Sequence, residues 1–498
     1  MPSSQVDDSR TPVLVGAAAV QQRLDDPRAA LEPVELMVTA LERAAADAGT
    51  HSLLAQANSI RVPRGFWDYP DPGRLIAERF GARSARTQVA EIGVLQTTLL
   101  GVAAQAIASG AEEVVLVAGG EAKYRALRAQ ITGIEAPMTA QATVQPDSVL
   151  RPEREIWNSL EAELGLLMPV NQYSIMECAL RHAEGLSIEA HRREVADLWA
   201  TFSRVAADNP AAWNRVAASA ADILTDDGGN RMLAFPYAKV HNSQWNVDQA
   251  AGLIFCSVAA ARAAGVPENR WLFPLAVADS NHMVPLSARA ALHRSYGFQV
   301  AGQRALKIAG VGIDAVEHLE LYSCFPVAVR AQVRELQVPP GRPLTATGGM
   351  AFAGGPLNNF VLQAMARMVE VLRADRGSLG MVTAVSGMLT KQGVSLWSTR
   401  VPNHPFRFAD VTAEVAQQMK TVEVVDSYHG PATIAAYTVL YQGDAPARAV
   451  MICDLPDGRR TLAATTDAVL AAAMTVQEFC GRAIDVTERR EARLLTQG

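Results

Sequence analysis

Apolar and polar residues follow two different periods in the first 120 residues of the chain. The short runs TPVLVGAAAV and EEVVLVAGG are almost continuously apolar, which predicts two buried strands. The segments PVELMVTALERAAADAG and LLGVAAQAIASG repeat apolar residues three and four positions apart and end at a glycine, which predicts helices. This part of the chain is therefore predicted to be an α/β structure.

The same order of helix, buried strand and glycine returns later in the chain. FVLQAMARMVEVLRADRG has the period of a helix, and the following SLGMVTAVSG reads as a strand that ends at Gly387. Two copies of one pattern favour an internally duplicated α/β fold. Chance recurrence within an ordinary α/β protein is the alternative.

Two regions depart from this pattern. Residues 121–232 are long, helical and partly polar, with HRREVADLWATFSRVAADNPAAW as the clearest helix, and insertions of this size often carry substrate contacts or a lid. Past Pro402 the chain changes to short β runs, KTVEVVDSYHG, TIAAYTVLYQG, ARAVMICDLPDG and RRTLAATTD, and the DG of LPDGRR predicts a hairpin. A separate small β-barrel or sandwich is therefore expected at the C-terminus, with TTDAVLAAAMTVQEFC as a closing helical stretch.

Composition narrows the functional classes. The 498 residues are 49% apolar and carry a net charge of −6, without a basic run, which excludes a broad nucleic-acid surface. Five cysteines without CxxC spacing predict buried, reduced thiols and no metal site. The polar N-terminus resembles no signal peptide and no apolar run is long enough for a membrane span, so a cytoplasmic protein is expected.

The stretch GGMAFAGGPLNNF, residues 348–360, has four glycines and a proline in its first nine residues. Glycines let backbone N–H groups approach a ligand closely, and the N-terminus of the following helix favours negative charge. The expected ligand group is therefore an anion or a developing oxyanion. The loop lacks the Lys-Ser/Thr ending of a phosphate-binding Walker loop and the spacing of a dinucleotide fingerprint. A purely structural turn is the alternative.

Six segments occur in an order that identifies a family. They are VLVGAAAV, AAQAIASGAEEVVLVAGGEA, VHNSQWNVDQAAGLIFCS, LELYSCFPVAV, TATGGMAFAGGPLNNF and AVSGMLTKQGVSLWS. In this order the chain resembles the thiolase superfamily, and specifically the bacterial thiolase-like proteins with an added C-terminal domain that are often labelled acetyl-CoA acetyltransferases. The resemblance extends over essentially the whole chain.

The resemblance implies a duplicated five-layered thiolase fold with a helical insertion and a C-terminal OB-like β-barrel. It assigns residues 1–120 and 233–270 to the first half, 121–232 to the insertion, 271–402 to the second half and 403–498 to the added domain. It also implies coenzyme A or acyl-CoA as substrate or ligand, no metal, and a monomer or homodimer.

The resemblance also locates the family's catalytic positions, and three of them hold residues without catalytic groups. The acylated cysteine at the start of the first central helix corresponds to Gly93, and the histidine of the family's GHP loop corresponds to Gly355. The acid/base cysteine of the CxG loop corresponds to Val385. None of these residues transfers a proton or attacks a carbonyl, so ordinary chemistry through an acyl-cysteine is not expected.

Three polar residues remain as catalytic candidates. Tyr322 and Cys324 lie in YSCFP, at the place of a family motif beside the thioester oxygen, and thiolase-fold aldolases with an OB-like partner domain carry a tyrosine there. His241, in KVHNSQWNV, is the imidazole expected nearest the pocket. The alternatives are a buried structural hydroxyl, an inert core thiol and a hydrogen-bonded structural histidine.

The residues expected to bind coenzyme A or its thioester lie mainly in the two glycine loops. They are Gly348, Gly349, Gly354, Gly355, Pro356, Ser386, Gly387, Lys391 and Asn242. Three functions remain open at this point: a divergent acyl-CoA acyltransferase, a carbon–carbon lyase of retro-aldol type acting on a 3-hydroxyacyl-CoA, and a non-catalytic acyl-CoA binding protein.

Overall fold

The computed structural model describes residues 7–142, 144–154, 156–225 and 229–494. The strands are β1 Pro12–Gln22, β2 Ser59–Pro63, β3 Arg86–Ala90, β4 Val114–Ala122, β5 Ser148–Leu150, β6 Met232–Ala234, β7 Tyr237–Ala238, β8 Asp248–Ser257, β9 Phe273–Ser280, β10 His318–Glu320, β11 Leu379–Ser386, β12 Lys391–Ser398, β13 Phe408–Asp410, β14 Gly430–Gln442, β15 Ala445–Asp454, β16 Arg460–Thr465, β17 Ala483–Val486 and β18 Ala492–Leu494.

Most of the α-helices lie before residue 400. The helices are α1 Pro33–Ala48, α2 Ser52–Ala55, α3 Pro72–Phe80, α4 Gln96–Ala108, α5 Lys123–Thr132, α6 Ser159–Glu163, α7 Pro169–Ala183, α8 Ile188–Asp208, α9 Ala220–Leu224, α10 Val258–Ala263, α11 Tyr296–Ala309, α12 Pro326–Glu335, α13 Phe360–Ala374, α14 Thr412–Gln418 and α15 Ala468–Ala473. The strands and helices predicted from the two apolar periods correspond to β1, α1, α4, β4, α13 and β11, and these predictions are confirmed.

The first sheet has the strand order β1-β8-β4-β2-β3-β5, with β8 antiparallel to both β1 and β4. Helix α1 packs very close to it, because a Cβ at Gly16 would lie 2.2 Å from the Ala44 carbonyl oxygen and a Cβ at Gly252 would lie 2.7 Å from the Leu41 nitrogen. Small residues on the strands thus allow the close contact between helix and sheet.

The second sheet has the strand order β10-β11-β12-β9-β13. Helix α11 packs on β9 and β12, while α4 and α13 each contact strands of both sheets. The order is therefore helix, sheet, two central helices, sheet, helix. This arrangement confirms the predicted duplicated α/β fold with five layers.

The insertion is helical, as predicted, and α8 contains its clearest sequence pattern. The apolar face of α8 is buried through Trp199 and Phe202, whose rings stack with centroids 5.4 Å apart. Helix α7 contacts β14, so the insertion packs against the C-terminal region. The boundaries of the four predicted domains stay a prediction.

The C-terminal region contains an antiparallel sheet with the strand order β16-β15-β14-β17-β18. The hairpin predicted at LPDGRR is confirmed, since Asp454 pairs with Arg460 and Gly458 has a φ of +85°. A bridge from Ala464 to Glu491 links the two edges of the sheet, as closure of a small barrel requires, and OB-like character stays a prediction.

Two local predictions for this region are confirmed only in part. KTVEVVDSYHG forms isolated bridges, from Thr421 to Arg289 and from Val424 to Arg460 of β16, and only its last residue, Gly430, belongs to a strand, β14. In TTDAVLAAAMTVQEFC only Ala468–Ala473 is an α-helix, which Asp467 caps through its side chain.

The structure can be compared with two predictions drawn from composition, one on the cysteines and one on membrane spans. All five cysteines are buried and free, in agreement with the prediction of reduced core thiols. In the ranges described, no helix combines the length and the apolar character that crossing a membrane demands.

Candidate functional site

A buried carboxylate at the end of β10 anchors the glycine-rich loop. Glu320 is fully buried, and its Oε2 accepts hydrogen bonds from the amides of Ala346 and Thr347, both at 2.7 Å. Its Oε1 accepts from the Thr347 hydroxyl at 2.9 Å, and the Thr345 hydroxyl lies 3.1 Å from both oxygens. Burial raises the pKa of Glu320 to about 7, although these hydrogen bonds favour the carboxylate. Sequence reasoning missed this residue.

The amides of the loop are largely occupied within the protein. The amide of Gly348 donates to the Thr345 hydroxyl at 2.9 Å, and that of Gly349 donates to the Thr347 hydroxyl at 3.0 Å. The amide of Gly355 donates to the carbonyl of Gln244 at 2.8 Å. In this geometry, these three amides are engaged by protein acceptors rather than presented to the oxygen of a ligand.

Close packing explains the glycines of this loop. A Cβ at Gly348 would lie 2.3 Å from the Ala206 nitrogen, and a Cβ at Gly349 would lie 2.4 Å from a ring carbon of Phe202, both on α8. A Cβ at Gly354 would lie 2.1 Å from the side-chain oxygen of Gln249 on β8, and all three glycines have positive φ. Pro356 then leads into the turn before α13. The loop accommodates the insertion, which favours the structural alternative over the ligand-binding one for Gly348, Gly349 and Gly354.

The second glycine turn, residues 385–391, lies against the start of α4 and brings predicted residues together. Lys391 Nζ donates to the carbonyl of Gly93 at 2.5 Å, and the Ser386 hydroxyl donates to the same carbonyl at 3.2 Å. The backbone hydrogen bonds among the described residues include none from the amides of Gly93 or Gly387. The turn and Gly93 together therefore provide two polar side chains and two amides that have no acceptor among the backbone groups described.

Lys391 is the charged group of this turn. Its side chain is 3% exposed, and in the described part of the chain no carboxylate oxygen lies within 4 Å of its ammonium. Burial lowers the pKa of Lys391, and the charge of Glu153 opposes that effect. An ammonium that is buried without a carboxylate partner is costly, which favours an oxygen-rich ligand beside it.

Position 93 has a backbone conformation and a close neighbour that disfavour any side chain. Gly93 has a φ of +102°, which side chains of L-residues rarely adopt. A Cβ there would lie 3.1 Å from the ring of Pro152, in the segment that follows β5. A glycine at this position is thus required by the local backbone.

Tyr322 and Cys324 lie together after β10, and both are 8% exposed. Burial raises the pKa of the Cys324 thiol to about 12 and raises that of the Tyr322 phenol further. Tyr173 of α7 contacts the Cys324 thiol, a contact that sequence reasoning missed because α7 belongs to the insertion. At neutral pH Tyr322 and Cys324 are therefore protonated, so they serve as hydrogen-bond donors rather than as a base or a thiolate.

His241 lies in the 3-10 turn Lys239–His241, where its Nδ1 accepts a hydrogen bond from the amide of Ala238 at 3.1 Å. Burial lowers the pKa of His241 to about 4, so the ring is neutral at pH 7 and its proton is assigned to Nε2. This geometry makes His241 a donor, since its one lone pair is occupied. Asn242 donates to the carbonyl of Ala238 at 2.9 Å and steadies the same turn.

A buried ion-pair network lies next to His241 and was also missed. Glu177 of α7 accepts from Tyr237 at 2.5 Å, lies 2.9 Å from His191 Nε2 and pairs with Arg330 of α12. Desolvation opposes the ionisation of Glu177, but Arg330 and His191 outweigh it and lower its pKa to about 2. The network fixes the insertion to the second half.

One group of side chains in the described residues has metal-ligand character. The ligand atoms of His182, Glu478 and Cys480 lie within 4.8 Å of one another, between α7 and the C-terminal region. Arg181 already pairs with Glu478 at 2.8 Å, so the negative charge that would attract a cation is compensated. The expectation of no metal site stays a prediction.

Comparison with known proteins finds a matching family model for the C-terminal region and solved structures with a similar fold. Residues 410–491 match the model of the thiolase-like protein type 1 additional C-terminal domain. A monomeric SCP2-thiolase-like protein type 1 from Mycobacterium smegmatis is 29% identical, with a TM-score of 0.82 over 99% of this chain and 100% of its own. No curated protein sequence matches the chain.

Two further solved structures share the fold at lower identity. The Ltp2-ChsH2(DUF35) aldolase is 18% identical, with a TM-score of 0.60 over 79% of this chain and 99% of its own. An acetyl-CoA acetyltransferase from Syntrophomonas wolfei is also 18% identical, with a TM-score of 0.57 over 79% of this chain and 100% of its own. At this identity the similarity concerns the fold.

Proposed function

Because the chain belongs to the thiolase superfamily and carries an added C-terminal domain of the type 1 thiolase-like kind, we propose that it binds coenzyme A thioesters without forming an acyl-enzyme. The observation that carries the proposal is the convergence of Lys391 and Ser386 on the carbonyl of Gly93. Two polar side chains thus meet at Gly93, the residue that the resemblance aligns with the family's nucleophilic cysteine.

The chemistry of the turn suits a thioester oxygen. Lys391 exchanges its hydrogen bond to the Gly93 carbonyl for one to the ligand oxygen, and the amides of Gly93 and Gly387 add two further donors. A carbonyl oxygen or an enolate gains most from donors that are fixed and partly dehydrated. An enolate oxygen carries more negative charge than the carbonyl of Gly93, so this exchange favours an enolate more than the thioester itself.

Transfer of an acyl group through the protein is the less favoured function. The five cysteines are buried, and the pKa of Cys324 is raised to about 12, so no thiolate forms near neutral pH. A divergent acyltransferase would have to pass the acyl group directly between two substrates.

A retro-aldol lyase is the second candidate, favoured by the tyrosine at position 322. In such a reaction the donors of the turn stabilise the enolate of the leaving thioester. Tyr322 keeps its proton at neutral pH, so it serves as a donor and a separate base is required. The fold that the chain shares with the Ltp2-ChsH2(DUF35) aldolase is consistent with this candidate.

Calorimetry with coenzyme A, acetyl-CoA, acetoacetyl-CoA and a 3-hydroxyacyl-CoA tests the proposal. We expect binding of thioesters, and at least about a tenfold loss, or 1.4 kcal/mol, in Lys391→Met. The matched control is Lys420→Met, an exposed lysine, which should bind like the unmodified protein. Absence of heat with every ligand would refute the proposal, and release of an aldehyde or ketone that Tyr322→Phe abolishes would select the lyase.

We also propose that the protein is a monomer. Strand β5 pairs in parallel with β3 and covers that edge of the first sheet, so β3 is not free to pair with a second copy. The monomeric SCP2-thiolase-like protein from Mycobacterium smegmatis supports this assignment. Light scattering that gives twice the mass of 53.2 kDa would contradict it.

A further inference from the structure

A cleft lies near the C-terminal end of helix α4, whereas the proposed thioester site lies at the start of that helix. It has a volume of about 690 Å³, which is within the range of roughly 300–1,000 Å³ typical of small-molecule sites. It is lined by α11, by Gln105 of α4 and by the segment 404–409. Gln105 is nine residues beyond the first residue of α4, which at 1.5 Å per residue is about 14 Å along the helix axis from the end near Gly93.

The cleft is basic in a protein whose net charge is −6. Arg304 and Lys307 of α11 and Arg407 of the facing segment line it, together with His404. Arg304 pairs with Glu414 at 2.5 Å. Lys307 and Arg407 are exposed, and neither has a carboxylate within 4 Å among the described residues. Two cations from opposite walls therefore lack a countercharge.

Apart from Gln105, the remaining lining is apolar and firmly held. Phe406 is 6% exposed, and Phe408 lies so close to α4 that a Cβ at Gly101 would approach its ring to 2.7 Å. Phe408 also begins β13, which pairs with β9. Since rings and cations line one cleft, the site suits a ligand with an apolar or planar body and a negatively charged group.

We propose that this cleft binds a small organic anion, with its charged group on Lys307 and Arg407 and its apolar or planar body on Phe406 and Phe408. Two kinds of molecule combine a negatively charged group with an apolar or planar body in this way, a nucleoside phosphate and a fatty carboxylate. Arginine and lysine bind phosphate and carboxylate through charge-assisted hydrogen bonds, and aromatic rings stack on bases or cover acyl chains. The proposal does not depend on thioester binding near Gly93.

Calorimetry with ADP, pyrophosphate and decanoate tests the cleft on the full chain. The double variant Lys307→Glu/Arg407→Glu should bind the preferred anion at least tenfold more weakly, because repulsion replaces attraction. Arg83→Glu changes the charge of an exposed arginine outside the cleft lining and should bind like the unmodified protein. Binding of ADP that exceeds that of pyrophosphate indicates a nucleoside phosphate, and binding of decanoate alone indicates a fatty carboxylate.

Three results overturn the proposal. They are no binding of any of the three probes, equal binding by the double variant, or equal loss in Arg83→Glu, which would show a non-specific charge effect. Thermal melting of the unliganded variants shows whether both are folded, and a folded double variant makes each outcome decisive. Because the two cations are exposed, their replacement is expected to leave the melting temperature nearly unchanged.

Discussion

The two glycine-containing loops, residues 348–356 and 385–391, have different environments. In the first, the amides of Gly348 and Gly349 donate to side chains of the same loop, and helix α8 occupies the space beside the glycines. In the second, Lys391 is buried without a carboxylate partner and the amide of Gly387 donates no hydrogen bond among the described residues. The glycines of a loop do not show whether the loop packs against the protein or binds a ligand. A buried charge without a carboxylate partner, such as that of Lys391, favours ligand binding.

The largest effect is expected from a methyl group in the first loop. Gly348→Ala places a Cβ 2.3 Å from the backbone of Ala206 at a φ of +94°, so helix α8 or the loop must move. We expect a loss of about 3 kcal/mol or more in the free energy of unfolding, measured by guanidinium denaturation.

Gly341→Ala is the matched control for backbone strain. Gly341 has a φ of +79°, and no atom lies within 4 Å of its ideal Cβ. Strain alone costs about 1 kcal/mol at such a position. If both variants lost the same stability, close packing would not explain the first loop.

A smaller effect is expected at the anchor of the first loop. Glu320→Leu removes the side-chain oxygen that accepts from the amides of both Ala346 and Thr347. We expect a loss of about 2 kcal/mol in stability, because buried donors are left unpaired. Hydrogen exchange should become faster at Ala346 and Thr347, and unchanged exchange there would contradict the anchoring role.

The smallest effect on stability is expected in the second loop. Lys391→Met removes a buried ammonium that has only a backbone carbonyl and a distant carboxylate to compensate it. We expect the free energy of unfolding to stay within about 1 kcal/mol of the unmodified value or to rise, since a buried charge without close pairing stabilises little. A large loss on thermal or guanidinium unfolding would make Lys391 a structural residue and remove the contrast between the loops.

Periodicity in the sequence was enough to predict the main layers of the fold. In helices α4, α8 and α13 and strands β4 and β11, the apolar residues follow the pattern expected from which side of each element is buried. Polar contacts of the site join residues far apart in sequence, such as Lys391 with Gly93 and Glu320 with Thr347. Their pairing depends on topology, which no local pattern encodes.

Several site predictions concerned residues whose roles depend on protonation. The sequence placed Tyr322 and His241 near the pocket, but their environments decide what they do. Burial keeps the phenol protonated and lowers the pKa of His241 to about 4. Neither effect is visible in a short motif, since it arises from side chains of the insertion and of β10 packed around them.

The most direct test of the central claim is the intact mass of the denatured protein after incubation with acetyl-CoA. The account predicts no added acetyl group, because position 93 is a glycine and the buried Cys324 thiol stays protonated. Calorimetry on the same sample confirms that the thioester binds. An acetyl adduct on Cys324 would contradict the account and identify a relocated nucleophile.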